Sequence, residues 1–166
     1  MSDKQLSKND WIAAGFEALA KQGPQALKAE ALARALGTTK GSFYWHFKDV
    51  AAFHDSMINK WQNSATVITD EENPATTLRN LAQNYAVMAD PNLRAWARSN
   101  EQVAQALADS DTRKLTEIAS LLEKCGVSNP ELAQVLFAAT IGLTETPGCD
   151  AKNAIATLVD LILALR

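Results

Sequence analysis

Cysteine is scarce in this chain, and the two copies, Cys125 and Cys149, stand in neither a CxxC nor a zinc-ligand spacing. The sequence therefore predicts reduced thiols, no disulfide framework and no metal site. Histidine is equally scarce. His46 and His54 both fall in the first third, with no accompanying Ser/His/Asp set, paired carboxylates or ligand cluster. No catalytic residue and no cofactor is assigned, and an enzyme has no residue support. No apolar run approaches the roughly 18 residues of a membrane span, and residues 1–8 lack the apolar core of a signal peptide. Those two absences predict a cytoplasmic protein with no membrane partner. Strand alternation, internal repeats and low-complexity tracts are missing as well. Only seven glycines and five prolines punctuate the chain, whereas alanine occurs 29 times, which favours closely packed helices.

A strong excess of positive charge is also lacking, since the net charge is −3. The balance is uneven along the chain. Residues 1–60 hold eight Lys/Arg against six Asp/Glu and residues 61–166 hold eight against thirteen, so the first part is +2 and the rest −5. Any attraction to a polyanion must come from local placement, for which Lys28, Lys40 and Lys48 are the candidates.

The periodicity predicts helices throughout. Ser7 and Asp10 form a capping-box-like pair before a helix over about 8–21, with Ile12, Phe16, Leu19 and Ala20 as its stripe and Gly23-Pro24 as its stop. A second helix runs from Lys28 to Ala35. Asp49 is a cap for a fourth, over about 50–68, with Phe53, Met57 and Trp61 on one side. Asn73-Pro74 opens a fifth, striped by Leu78, Leu81, Ala82, Tyr85 and Met88. A short helix is expected over 92–99, another turn or two over 101–108, and a longer one capped by Asp109-Ser110-Asp111 that continues to Lys124. The last two, about 130–143 and 151–165, are the most apolar.

The sharpest signal lies at residues 36–48. Ala33 is small, Gly37 follows four residues later where a tight turn needs positive φ, and an amphipathic helix comes next. At 100° per residue Phe43 and Phe47 share one face, whereas Gly41, Tyr44, Trp45 and Lys48 share the other. Rings on the outward side, beside ammonium and hydroxyl donors, suit phosphates and base edges in a major groove. His46 sits at the edge of the apolar face, so packing and DNA contact are both open to it. A phosphate loop at Gly37–Ser42 is excluded, because only three residues separate the glycines and no Lys follows the second.

Residues 7–60 resemble the N-terminal DNA-binding domain of TetR-family transcriptional regulators. The likeness is carried by Trp11-Ile12-Ala13-Ala14-Gly15-Phe16, Gly23-Pro24, Ala31 to Gly37 and, above all, Gly41 to Asp49, in which a Tyr and one other residue precede His-Phe. The resemblance implies an all-α homodimer on a double-stranded operator. Its helix-turn-helix domain would span residues 1–50, helix 4 (about 50–68) would connect, and residues 51–166 would bind an effector and dimerise. Tyr44 and His46 would contact phosphates, with Lys40, Gly41, Ser42 and Trp45 nearest the bases and Lys28, Thr39 and Lys48 alongside. The chain departs from the pattern twice: Val50 stands where relatives usually carry Lys or Arg, and Leu27 where a Thr often caps helix 2.

For the C-terminal part, a small-molecule effector cavity is expected among Tyr85, Met88, Trp96, Leu122 and Phe137, although each also suits an ordinary core position. Leu132, Val135, Leu136, Ala139, Ile155, Leu158, Val159 and Ile162 offer more apolar surface than two helices can hide alone, which predicts a dimer interface. The function expected is that of a repressor released from its operator by the effector. The alternative is a helical protein-interaction module that keeps the fold without operator binding.

Overall fold

The computed structural model describes residues 6–64 and 73–164. Among them are nine α-helices and no strand: α1 (Lys8–Gln22), α2 (Ala29–Ala35), α3 (Lys40–His46), α4 (Val50–Gln62), α5 (Pro74–Met88), α6 (Pro91–Ala97), α7 (Glu101–Lys124), α8 (Pro130–Gly142) and α9 (Ala151–Ala164). Short 3-10 turns at Pro24–Ala26 and Leu143–Glu145 supplement them. The chain divides into two compact units, one of residues 6–64 and 92–107, the other of residues 73–91 and 108–164.

Local chemistry sets most of the boundaries. Ser7 and Asp10 close a full capping box at α1, so two orphan N–H groups are satisfied reciprocally. Thr39, Asp49, Asn73 and Asn129 cap α3, α4, α5 and α8 through their side chains, and Pro74 and Pro130 follow the two Asn caps at the position where a missing N–H costs nothing. The end of α2 is a Schellman turn: Gly37 takes φ +65°, its N–H donates to the Arg34 carbonyl, and the Thr38 N–H donates to the Ala33 carbonyl.

The expected break at Asp109-Ser110-Asp111 is not there. Glu101–Lys124 is one 24-residue helix, and its start is capped by Asn100, whose Oδ1 accepts from the Val103 N–H at 3.1 Å. Ser110 is buried in it, on the same stripe as Val103, Ala106 and Ile118. A continuous apolar stripe outweighs three residues of middling helix propensity, each costing a few tenths of a kcal/mol. The helix begun at Val50 is described to Gln62, and its expected end at Ile68 lies outside the described residues, as does Leu165.

The first unit closes on rings. Trp11, Phe43 and Phe53 are fully buried; Phe43 meets Trp11 edge-on at 5.3 Å and Phe53 at 5.4 Å, and Phe47 meets Phe53 at 5.0 Å. Gly15 permits the approach of α4, since a Cβ there would lie 2.6 Å from Phe53 Cζ and 2.7 Å from Met57 Sδ. In the second unit α5 packs against α9 and α8 around Leu78, Leu81, Ile118, Leu122, Leu136, Ile155 and Val159. An exposed Arg79–Asp160 ion pair ties α5 to α9. Cys125 is buried in this unit and Cys149 is half-buried.

Candidate nucleic-acid interface

Helix α3 is only seven residues long, so packing and not propensity holds it. Phe43 and Phe47 are its anchors, at 0% and 3% exposure. The other side faces out: Trp45 is 89% exposed and Tyr44 45%. Lys40 and Gly41 are also exposed, Ser42 is partly so, and Lys28, the residue before α2, is exposed as well. These residues are the expected reading face.

Several side chains have a more specific position than the sequence suggested. Lys48 is exposed but lies beyond α3, in the link after the extended C-cap Phe47, so helical spacing does not place it. The Thr39 hydroxyl accepts from the Ser42 N–H at 3.4 Å, which gives it the job of starting α3. His46 is half-buried, with its ring centred 6.5 Å from that of Trp11, consistent with a place at the edge of the apolar face. Leu27 is buried, and α2 begins at Ala29 after Lys28, which gives it no side-chain cap. Val50 opens α4 partly buried against the first core.

Three residues escaped the sequence reading. Glu30, in the first turn of α2, forms an ion pair with Lys40, whose ammonium also lies 6.0 Å from the centre of the Tyr44 ring. Hydrogen bonding to Lys40 holds the Glu30 carboxyl below its usual range, and the same pairing raises the Lys40 ammonium. Lys8 lies over the Phe47 ring at 5.3 Å. His54 donates through Nε2 to the Leu27 carbonyl at 3.3 Å and meets the Trp96 ring edge-on at 5.1 Å, which links α4, the segment before α2, and α6. No spacing rule signals such tertiary pairs.

The residues expected to line an effector cavity are spread over both cores. Trp96 is buried in the first. Leu122 is buried in the second, against which Tyr85 and Phe137 pack partly buried, and Met88 is 40% exposed. The Tyr85 hydroxyl donates to Glu117 and Lys114 lies over its ring at 5.2 Å; burial first, and then Glu117, push the phenol well above its usual range. A crevice of about 260 Å³ at the α7–α8 junction takes Leu122 alone of the five, with Val127, Pro130 and Ala133.

Of the expected dimer residues, Leu136, Ile155, Val159 and Ile162 are buried inside the protomer at 0–2% exposure and have no surface left for a partner. Leu132, Ala139 and Leu158 are partly buried, and Val135 is 52% exposed. Leu161, which periodicity did not single out, is 61% exposed on α9. The buried side of α8 is Ala133, Leu136 and Thr140, so its outward face is rotated from the expected stripe.

Residues 12–52 match the model of the family described as bacterial regulatory proteins, tetR family. No curated protein matches the chain significantly. Among solved structures, a Rhodococcus sp. protein assigned to the TetR-family transcriptional regulators shares 19% identity, covers 94% of this chain and 98% of its own, and superposes with a TM-score of 0.72. A TetR/AcrR-family transcriptional regulator from Thermobifida fusca YX-ER1 shares 15% identity, with 94% and 96% coverage and a TM-score of 0.62. Mycobacterium smegmatis BioQ shares 18%, with 96% and 97% coverage and a TM-score of 0.56. The fold is therefore that of helix-turn-helix transcription regulators. The likeness to the tetR family lies in the first unit, at residues 12–52.

Proposed function

We propose that this chain is a homodimeric, sequence-specific DNA-binding repressor that inserts α3 into the major groove and is released by a small-molecule effector. The observation that carries the DNA-binding reading is the division of α3, with Phe43 and Phe47 buried while Trp45 and Tyr44 face out. A soluble helix of seven residues has little reason to present an indole at 89% exposure unless a partner covers it. In this reading the backbone at Gly41 approaches the bases, Trp45 and Lys40 lie against their edges, and Tyr44, Lys28 and Lys48 hold phosphates. His46 serves both packing and phosphate.

Dimerisation is assigned to the outward sides of α8 and α9, through Val135 and Leu161 with Leu132, Leu158 and Ala139. A two-fold axis there would set the two α3 helices about 34–36 Å apart, or a multiple of that. Effector release is supported by likeness to regulators alone, and it requires the ligand to prefer the non-binding state. The reading assigns no catalytic role.

A protein-interaction module is the second reading. Val50, apolar where relatives usually carry Lys or Arg, and the low basic charge favour it. A binding titration with the duplex immediately upstream of the protein's own coding sequence and a shuffled duplex, over a range of salt, separates the two. A repressor binds the upstream duplex more tightly and loses affinity linearly in log salt. Equal, negligible binding to both would reject DNA binding.

A further inference from the structure

The reading face carries an acid where phosphates are expected. Glu30 stands in the first turn of α2, exposed, with its carboxylate on the Lys40 ammonium. Lys40 is the first residue of α3, the end of a recognition helix that approaches base edges. Glu30 also feels Lys28, whose charge contributes to holding its carboxyl low. One carboxylate therefore sits among the cations that would otherwise pull the domain onto any duplex.

Resting on the DNA-binding reading above, we propose that Glu30 is a specificity-determining residue: as an internal counter-ion it holds Lys40 away from the phosphate backbone and leaves its remaining N–H donors for base edges. An ammonium has three donors and Glu30 Oε1 takes one. The Tyr44 ring, centred 6.0 Å from the ammonium, adds a second attraction for it. A lysine so paired brings almost no net charge to the duplex, so it displaces almost no counter-ion from a non-specific site. Released from Glu30, it reaches the nearest phosphate on any sequence. Non-specific binding then gains a whole contact, whereas operator binding exchanges an oriented base contact for a phosphate contact and changes little. Glu30 thus lowers affinity for DNA at large and widens the ratio between operator and other sequences.

Glu30→Gln, Lys40→Met and the double variant test this by fluorescence anisotropy on the upstream and shuffled duplexes over a salt series, with thermal denaturation to check folding. Glu30→Gln should bind the shuffled duplex about two- to fivefold more tightly, the range of an exposed ion pair, with a salt slope steeper by about one. Its upstream affinity should barely move, and in the Lys40→Met background the effect should vanish. Unchanged shuffled binding and slope would overturn the proposal, as would an equal gain on both duplexes or a gain that persists without Lys40. Parallel weakening with a lowered thermal midpoint would also overturn it, by making Glu30 a structural residue. Wild-type protein that binds neither duplex removes the DNA-binding reading and this proposal with it, whereas wild type that binds while Glu30→Gln is silent rejects this proposal alone.

Discussion

Trp45 and Phe47 are two residues apart and live in opposite environments. Trp45 is 89% exposed and Phe47 is 3% exposed, with its ring against Phe43 and Phe53. Phe47→Ala should therefore act through the fold, leaving a cavity that costs about 3–5 kcal/mol in chemical denaturation. A loss under about 1 kcal/mol would mean that the aromatic cluster closes over the gap. His54 makes a second prediction at this scale. Burial holds its imidazole below the ordinary value of 6.5, against smaller opposing effects of the Leu27 carbonyl and Asp55. The unfolded chain then takes up the proton more readily than the folded one. This contribution to stability is present above about pH 6.5 and is lost as the pH falls through the folded value. His54→Gln should flatten that acid limb in a series of thermal midpoints from about pH 5 to 8. Parallel profiles for wild type and variant would contradict the assignment.

Elements were legible where chemistry is local. Capping boxes, Asn-Pro starts and the Gly37 turn need only neighbouring residues, and each lies where the spacing predicts it. The division of α3 into buried and exposed faces was equally readable, because two phenylalanines four apart leave little choice. The continuity of α7 was not. Asp109-Ser110-Asp111 is a good cap in isolation, and only the burial of Ser110 within one continuous helix shows that it does not act as one. The outward face of α8 was misjudged for a related reason, since a helix apolar nearly all round does not announce which side its neighbours cover. Gly15 is another contact invisible in one sequence. Gly15→Ala would place a methyl group 2.6 Å from Phe53 Cζ, and Phe53 is itself fenced by Phe43 and Phe47. Overpacking of this kind costs about 1–3 kcal/mol, against roughly 1 kcal/mol gained in helix propensity. We expect a lowered thermal midpoint; a raised one would show that α1 and α4 separate freely.

At the scale of the whole molecule, the proposed repressor would join a reading head to a dimer. Two-fold assembly matters because one seven-residue helix offers few base contacts, and a second copy at fixed separation multiplies them. Leu161 and Val135 are the large apolar residues that α9 and α8 leave exposed, so Leu161→Glu should yield folded monomers by light scattering at micromolar concentration, with operator binding lost. Ile162→Glu should differ, because that side chain is 2% exposed in the protomer's own core and a carboxylate there destabilises the fold itself. A Leu161→Glu, Val135→Glu double variant that remains dimeric would move the interface elsewhere. DNA reading by the outward face of α3 is the step on which the rest depends. Its most direct test is the affinity of Tyr44→Ala and Trp45→Ala for the upstream duplex, measured beside their helicity and thermal midpoints. Each variant should lose about fivefold or more, from contacts worth about 1–3 kcal/mol, with folding unchanged. Wild-type affinity in both variants would contradict it.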